Sequence, residues 1–446
     1  MTLHAFNSDI QFANPLALGG GDAVVIGGNG FVYGQDTLFL GQTGSDILVA
    51  GGVASWLTAF SFGALNPVQG ATIQLSHSGL VNAYQGLFYN GSNLHFHNAG
   101  TIMADSIALS LLDTTGFGTA SRIHNSGSII SGGTAVIYGR PGQTEPYTIH
   151  NTGVIASTSS TASSTAILFG DADVANDRLV NAGQIVGLIL LGGGNDLYDG
   201  RGGGTVTGSI GGGPGDDRFR PGAAEEVFDG GSGLDTLDFR GGGGAMAIAL
   251  DNAFDADGWA EGDQWAGIEN VIGSRGADRI GGDSAANWLN GAAGDDSISG
   301  GSNQDTLDGG DGNDTLAGGS ASDTLTGGSG IDTLTGGSGN DAFLFRRLGE
   351  IGDVITDFSS AAAGNDDRIG VSQSGFGAGL ALGALAASRF RARADNVAQD
   401  ADDRFIFRST DQTLWFDADG NGGGAAVLLA DLQPGASLTA ADIVIF

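Results

Sequence analysis

The sequence contains no cysteine and no lysine, and both absences narrow the classes of protein that it can encode. Without cysteine, the 446-residue chain has neither disulfides nor thiolate ligands and nucleophiles. All 17 basic residues are Arg, against 50 acidic residues. A net charge of −33 argues against a nucleic-acid-binding protein, because no basic patch would outweigh it beside a phosphate backbone.

Long apolar runs are also missing. No stretch of 18 apolar residues occurs, so no transmembrane helix is expected. The first residues, MTLHAFNSDIQFANPLALGGG, have neither a basic n-region nor a long apolar h-region, and they do not predict a cleavable secretory signal. Either the protein stays in the cytoplasm, or it is exported by a route that needs no N-terminal signal.

Glycine and aspartate dominate what is present. The 83 Gly residues are about one residue in five, against a usual share of roughly 7%. Of the acidic residues, 44 are Asp and only six are Glu. This composition argues against a mainly helical fold. At 41% hydrophobic and 15% charged residues, the chain is also too apolar for a disordered acidic tail.

Residues 1–190 contain a loose repeat of the form [N/H]-x-G-x-[I/V], followed each time by a second short apolar run. Strand-length runs separated by Gly and Asn at a period of 20–30 predict a parallel β-solenoid. Residues 1–75 show similar runs without a clean period, and we interpret them as the first coils or a cap. In such a solenoid two sets of side chains would stack from coil to coil, namely Asn98, Asn125, Asn151 and Asn181, and Ile102, Ile129, Ile155 and Ile185.

Three histidines occupy one position in successive coils of this repeat. His97, His124 and His150 each precede a ladder Asn by one residue, so their imidazoles should point outward and stack if the Asn side chains point inward. A structural or solvated stack is the main expectation. A transition-metal site is the alternative.

Residues 191–345 contain a strict nine-residue repeat, G-G-x-G-x-D-x-U-x with U apolar, in blocks 191–238 and 268–345 around an insertion. The repeat resembles the RTX (haemolysin-type calcium-binding) family, which implies a β-roll with several Ca²⁺ ions between stacked turns. The resemblance assigns ligand carboxylates to Asp196, Asp217, Asp235, Asp278, Asp296, Asp305, Asp314, Asp323, Asp332 and Asp341. It assigns ligand carbonyls to Gly276, Gly294, Gly312, Gly330 and Gly339.

Without a cation, carboxylates stacked one coil apart would repel one another by roughly 3.5 kcal/mol at an effective dielectric of 20. The apolar residue of each repeat offsets only about 2 kcal/mol. We therefore expect the repeats to be largely disordered without calcium and to fold on binding it.

The two edges of the roll are predicted to differ. The edge that carries Asp314 has Gly at the fourth repeat position throughout, whereas the other edge has Ala285, Asn303 and Ala321 there before Gly339. A residue with a side chain that is held at positive φ costs about 1 kcal/mol or more. The Gly edge should bind calcium more tightly.

Residues 346–446 resemble the C-terminal region of secreted serralysin-type proteins, on the segments DVITDF at 353–358, DDRIGVS at 366–372 and LWFDADGNGGGAAVLLADL at 414–432. The chain ends with Asp442 and four apolar residues, which resembles the uncleaved signal of type I secretion. The N-terminal repeats are similar to those of parallel β-helix adhesins.

The expected fold is therefore all-β, a parallel β-solenoid (1–190) continuing into a calcium β-roll (191–345) and a β-rich C-terminal cap and secretion region (346–446). No H-E-x-x-H or G-x-S-x-G motif occurs, and the sequence leaves open whether the protein is an enzyme. The predicted function is a secreted, calcium-binding protein with a structural or adhesive role. The alternative is a β-helical lyase or epimerase acting on extracellular polysaccharide. Predicted partners are the type I machinery and a surface or extracellular glycan, and self-association stays open.

Overall fold

The computed structural model describes residues 3–8, 10–12, 16–17, 23–26, 31–34, 39–41, 46–62, 68–112, 120–133, 135–139, 144–159, 164–253, 255–361, 365–377 and 379–446. The chain forms two compact units. Unit 1 is Met1–Leu237 with Gly262–Ile268, and unit 2 is Asp238–Glu261 with Glu269–Phe446.

Short strands make up most of the described chain. Up to residue 238 they are β1 (Leu3–Phe6), β2 (Ile10–Phe12), β3 (Leu16–Ala17), β4 (Ala23–Ile26), β5 (Phe31–Gly34), β6 (Phe39–Gly41), β7 (Asp46–Val49), β8 (Gly52–Phe62), β9 (Val68–Leu75), β10 (Leu80–Asn98), β11 (Thr101–Leu112), β12 (Ser121–Asn125), β13 (Ser128–Ser131), β14 (Ala135–Gly139), β15 (Tyr147–Asn151), β16 (Val154–Ser157), β17 (Thr165–Leu168), β18 (Arg178–Asn181), β19 (Gln184–Val186), β20 (Leu188–Leu190), β21 (Leu197–Asp199), β22 (Thr205–Val206), β23 (Ser209–Pro214), β24 (Arg218–Arg220), β25 (Val227–Ser232) and β26 (Thr236–Asp238).

From residue 246 the elements are β27 (Met246–Ala249), β28 (Asp257–Gly258), β29 (Gln264–Ala266), β30 (Asn270–Ile272), β31 (Arg279–Gly281), β32 (Trp288–Asn290), β33 (Ser297–Gly301), β34 (Thr306–Asp311), β35 (Thr315–Ser320), β36 (Thr324–Ser329), β37 (Thr333–Ser338), β38 (Ala342–Phe345), β39 (Asp353–Ile355), β40 (Ser360–Ala361), β41 (Asn365–Asp366), β42 (Arg368–Val371), the helical turn α1 (Gln373–Phe376), β43 (Gly383–Ala384), β44 (Phe390–Arg393), β45 (Phe405–Arg408), β46 (Thr413–Phe416), β47 (Val427–Leu432) and β48 (Ile443–Ile445). Two 3₁₀ turns cover Ala387–Arg389 and Ala440–Asp442.

Unit 1 is a three-sided parallel solenoid. Face A stacks β1, β4, β7, β9, the second half of β10, β12, β15, β18, β21 and β24. Face B stacks β2, β5 and the first parts of β8, β10 and β11, then β13, β16, β19 and β22. Face C stacks β3, β6 and the later parts of β8, β10 and β11, then β14, β17, β20, β23, β25 and β29. The described parts of residues 1–75 thus form coils of the same solenoid.

Alternating apolar residues hold these coils together. Ile102, Ile129, Ile155 and Ile185 lie directly above one another on face B and are buried, as the repeat predicts. Strands such as β12, β13 and β15 bury every second side chain, so each coil adds apolar side chains to one continuous core.

The predicted asparagine ladder closes the corner between faces A and B. The Nδ2 of Asn98 donates to Oδ1 of Asn125 over 2.7 Å, and the Nδ2 of Asn125 donates to Oδ1 of Asn151 over 2.8 Å. Asn151 continues the ladder to Asn181 over 2.9 Å. Each inner amide of this buried ladder donates to the next Asn and accepts from the one before it, so the ladder satisfies itself.

Unit 2 contains the roll. One side stacks β27, β31, β33, β35, β37 and β39, and the other stacks β30, β32, β34, β36, β38, β42 and β48. Residues 18 apart pair across adjacent coils, as Ile298 does with Leu316 and Leu316 with Leu334. The apolar residue of each nonapeptide is buried, which leaves the Gly-rich turns at the two edges.

The last hundred residues extend unit 2 with strands. β47 pairs with β39 and with β46, which begins the order β47–β46–β45–β44, and β48 pairs with β42. Ile443 and Ile445 are buried in this last pairing. The all-β fold with a solenoid and a roll is confirmed. No helix in the described parts of the chain is long and apolar enough to cross a membrane.

Candidate metal centre

A ladder of aspartates runs along the first edge of the roll. The backbone N–H of Asp278 donates to Oδ1 of Asp296, and that of Asp296 donates to Oδ1 of Asp314, both over 2.7 Å. Asp314 donates in the same way to Asp332 over 2.7 Å, and Asp332 donates to Asp353 over 3.1 Å. In each turn, one carboxylate oxygen thus accepts a hydrogen bond from the backbone of the coil before it.

The second edge repeats this arrangement. The N–H of Asn287 donates to Asp305, that of Asp305 to Asp323, and that of Asp323 to Asp341, each over 2.8 Å. Asp341 in turn donates to Oδ1 of Asp367 over 3.0 Å.

The other oxygen of each carboxylate is buried and has no hydrogen-bond partner among the described residues. This holds for Oδ2 of Asp296, Asp305, Asp314, Asp323, Asp332 and Asp341. A buried carboxylate oxygen without a donor is costly, so its presence on six successive turns indicates that these oxygens are cation ligands.

Glycine and backbone carbonyls surround these oxygens. A Cβ at Gly309 would overlap both Oδ2 of Asp314 and the carbonyl oxygen of Gly327, so only glycine leaves this space open. The same crowding occurs at Gly291 around Oδ2 of Asp296. The carbonyl found beside Oδ2 in these two turns belongs to the first repeat position. A ligand role for the fourth-position carbonyls, such as that of Gly312, stays a prediction.

The electrostatics of the metal-free ladder are unfavourable. Burial raises the pKa of Asp296, Asp305 and Asp314 to about 7, and repulsion by neighbouring carboxylates adds to this, while the accepted backbone N–H lowers the pKa. Burial also raises the pKa of Asp353 to about 7. A divalent cation would compensate this buried charge.

The donor set fits Ca²⁺. Carboxylate and carbonyl oxygens are the hard ligands that Ca²⁺ prefers. Across the described ranges, no group of three or more acidic or histidine side chains converges on one point. The carboxylates Asp296, Asp305, Asp314, Asp323, Asp332 and Asp341 would therefore each hold calcium together with backbone carbonyls.

Asp278 and Asn287 end the two ladders differently from the other members. Oδ2 of Asp278 accepts the N–H of Ser274 over 2.6 Å, and its Oδ1 accepts from Met246 and from the Ser274 hydroxyl. Asn287 uses its amide on Asp283 and Glu269. Both side chains are satisfied by the protein itself.

The edge opposite Asp314 was expected to carry residues with a side chain at positive φ, and the structure agrees only in part. Asn303 and Ala321, at the fourth repeat position, have φ of +67° and +81°. Ala285 is not at positive φ, so the expectation for that residue is wrong; its N–H instead bonds to Oδ1 of Asp283. The Gly edge carries one strained residue of its own, Ala292 at φ +75° in the second repeat position.

The shorter repeat block contributes a third ladder, which lies in unit 1. The N–H of Asp196 donates to Oδ1 of Asp217, and that of Asp217 donates to Oδ1 of Asp235, both over 2.7 Å. Oδ2 of Asp196 and Asp217 is buried without a partner in the described chain.

Sequence reasoning missed three carboxylates that extend these ladders, Asp177, Asp353 and Asp367, and a fourth, Asp263, whose Oδ1 accepts the N–H of Glu226. None follows a G-G-x-G turn, but each begins a D-x-U triplet, as in Asp353-Val-Ile and Asp367-Arg-Ile. The D-x-U half of the repeat marks them as candidates, and the stacking of the coils decides which candidates join a ladder.

Comparison with known families now agrees with this geometry. Residues 281–316 and 317–345 match the family described as RTX calcium-binding nonapeptide repeat (4 copies). Residues 281–345 are RTX repeats. Repeats of this family bind Ca²⁺, and the matched range contains both edges of the roll from Asn287 to Asp341. No curated protein matches the chain.

Proposed function

We propose that this protein is a secreted, calcium-binding RTX protein with a structural or adhesive role at the bacterial surface or in the extracellular matrix. The buried, partnerless Oδ2 atoms of the RTX turns carry the proposal, because they make the roll depend on calcium. Folding would then follow export into a calcium-containing medium.

Calcium titration of the full chain tests this dependence. Circular dichroism should report a gain of β structure at roughly 10⁻⁴–10⁻³ M calcium, the affinity range of extracellular modules. Magnesium should not substitute, because it dehydrates reluctantly and requires a stricter octahedral geometry. Identical spectra in chelator and in calcium would refute the proposal.

An outward-facing row of basic side chains on face A supports the adhesive role. We call His95, His97, Arg122, His124, His150 and Arg178 the cationic strip. His97, His124 and His150 are in direct register, and His124 and His150 stack with ring centroids 5.0 Å apart and Nδ1 atoms 3.1 Å apart. The column beside them carries His95, Arg122, Thr148 and Arg178. The predicted stack is present for His124 and His150, whereas the ring of His97 is tilted by 45° against that of His124.

The cationic strip is chemically distinct within this acidic chain. Its four strands present no carboxylate beside the imidazoles and guanidinium groups, and Arg122 and Arg178 are exposed. No ion pair joins either Arg to an acid of the described residues. Burial and the neighbouring His124 and His95 lower the pKa of His97. In the column beside the histidine stack, His95 and Arg122 are one coil apart, and Arg122 and Arg178 are two coils apart with Thr148 between them. At about 4.8 Å per coil, this spacing suits a linear polymer with regularly spaced anionic groups.

Binding to an immobilised polyuronate tests the adhesive role at constant, saturating calcium. Arg122→Ala with Arg178→Ala should weaken binding about tenfold, consistent with two lost charge contacts. Arg393→Ala with Arg408→Ala is the matched control, since it removes the same charge from two arginines already paired with Asp395 and Asp411. Equal binding by both double variants would contradict the assignment. Shortening of the polymer would instead favour the alternative, a lyase or epimerase.

The proposed type I signal needs a control for folding, because the last residues are part of the roll. Deleting Asp442–Phe446 removes β48 and its buried contacts as well as the signal. Leu334→Asp disrupts the core of the roll but leaves the C-terminus intact. In cells with a type I exporter, Leu334→Asp should reach the medium and the deletion should not. Export of both would place the signal elsewhere.

A further inference from the structure

A loop of the solenoid that lacks the nonapeptide shares the ladder geometry of the RTX turns. In the loop 170–177, Oδ1 of Asp177 accepts the N–H of Tyr147 over 2.6 Å, and the N–H of Asp177 donates to Oδ1 of Asp196 over 2.6 Å. Asp177 is thus the first carboxylate of the ladder that continues to Asp217 and Asp235.

Two carboxylate oxygens of this loop are buried without a partner. Asp173 and Asp177 are each 2% exposed, and Oδ2 of both has no hydrogen-bond partner in the described part of the chain. Oδ1 of Asp173 accepts the N–H of Ala175 over 3.0 Å, which fixes the side chain inside the loop. Oδ2 of Asp196, on the next coil, is also buried without a hydrogen-bond partner among the described residues.

Backbone carbonyls line the space between this loop and the next turn. A Cβ at Gly193 would overlap the carbonyl of Asp173 and lie 2.8 Å from that of Asp171. A Cβ at Gly194, which has φ +120°, would overlap the carbonyl of Ala175. Glycine at both positions therefore keeps several oxygens close together, as in the RTX turns.

The charges of the loop have no compensation within it. Asp177 has its pKa raised to about 9 and Asp196 to about 8, first by burial and then by repulsion that each receives from other carboxylates, including Asp173. The nearest basic residue in sequence, Arg178, is exposed on face A and belongs to the cationic strip.

We infer that the loop 170–177 binds a Ca²⁺ ion through Asp173, Asp177 and the surrounding carbonyls, outside the RTX match. An all-oxygen set with two carboxylates and several carbonyls suits Ca²⁺ rather than a nitrogen- or sulfur-preferring metal. Such a site makes part of the solenoid calcium-dependent. The inference needs neither the adhesive role nor export, and it concerns residues more than a hundred positions before the matched repeats.

The test compares the direction in which a substitution shifts the thermal midpoint of the full chain in chelator and in calcium. Asp173→Asn removes a buried charge, so in chelator it should raise the thermal midpoint of unit 1. In saturating calcium it should lower that midpoint, and native mass spectrometry should count one ion fewer. The variant Asp177→Asn should behave in the same way, because its amide can no longer offer the second carboxylate oxygen.

Asp171→Asn is the matched control, since Asp171 is in the same loop but exposed. Asp171→Asn should leave the number of bound ions unchanged, and it should not produce opposite shifts of the thermal midpoint in chelator and in calcium. Hydrogen exchange of the segment 170–177 gives a local readout that does not depend on the RTX turns. A wild-type ion count together with a raised midpoint in both chelator and calcium would overturn the inference and leave the RTX assignment intact.

Discussion

The protein contains buried ladders of two kinds, an amide ladder in the solenoid and carboxylate ladders in the roll and in the shorter repeat block of unit 1. In the Asn98–Asn181 ladder each side chain donates to the Oδ1 of the next Asn, and Oδ1 of Asn98 accepts the backbone N–H of Gly100. In the roll, Oδ1 of Asp314 and of Asp332 accepts a backbone N–H, and Oδ2 of both has no hydrogen-bond partner within the described chain. Replacing an amide nitrogen by an oxygen thus converts a self-sufficient ladder into one that requires a cation.

The largest expected effect is the loss of this cation. In chelator, amides of β33–β37 should lose their protection from hydrogen exchange, whereas amides of β12, β13, β15 and β16 should keep theirs. Each ion contributes about 2.7 kcal/mol at a hundredfold excess over its dissociation constant, and the roll loses several ions at once. Equal loss of protection in both regions would remove the distinction between the two ladders.

Acid should partly replace calcium in the roll. The folded metal-free state raises the pKa of Asp296, Asp305 and Asp314 from 3.8 to about 7, so the folded state binds more protons than the unfolded state between these values. In chelator, stability should therefore fall as the pH rises from about 4 through 7. In saturating calcium, lowering the pH should instead weaken the roll, because protons compete for the ligands. Thermal melts of the full chain at several pH values measure both signs.

An acid introduced into the amide ladder should be harmful. Asn125→Asp removes the donor to Oδ1 of Asn151 and to the carbonyl of Val154, and it buries a negative charge beside oxygens that have lost their donor. We expect a cost of about 3 kcal/mol or more in unit 1, with or without calcium, by thermal or chemical denaturation. Asn125→Gln is the control, because it disturbs the packing but keeps a neutral amide, and so it separates the effect of packing from the effect of the added charge. Recovery of Asn125→Asp by calcium would show that the two ladders are interchangeable.

The two edges of the roll offer a smaller contrast. Asp314→Ala should raise the calcium midpoint for folding more than Asp323→Ala, because Asp314 lies in a turn without strained residues and Asp323 follows Ala321 at φ +81°. A tightly held ion contributes about 2.7 kcal/mol, whereas one near its dissociation constant contributes a few tenths. Ala292, one coil before Asp314, reduces this difference. Equal shifts would refute the ranking.

The smallest expected effect comes from relieving the strain itself. Ala321→Gly should stabilise the calcium-bound roll by about 1 kcal/mol or less, since relief of positive φ outweighs the added freedom of the unfolded chain only slightly. Ala317→Gly, in strand β35 at ordinary φ, is the matched control and should destabilise the roll. Calcium midpoints of the two variants should move in opposite directions.

Much of the fold could be predicted because the length of each repeat gives the number of residues in one coil. The spacing of Asn98, Asn125, Asn151 and Asn181 predicts which side chains share a column, and the 18-residue spacing of Asp296, Asp314 and Asp332 does the same for the roll. Ala285 was predicted incorrectly because the sequence shows the position in the repeat but not the local hydrogen bond to Asp283 that changes its backbone.

The sequence alone determined that the RTX turns require a cation. A carboxylate recurs in every glycine-rich turn, and no basic residue recurs with it to balance its charge. Which carboxylates join the ladders was decided only by the tertiary structure. Asp177 donates to a partner 19 residues away, Asp332 to one 21 residues away and Asp341 to one 26 residues away, so no fixed period reveals them. The strands stay in register although the segments between them differ in length, so the through-space stacking of coils, rather than sequence spacing, determines which oxygens meet.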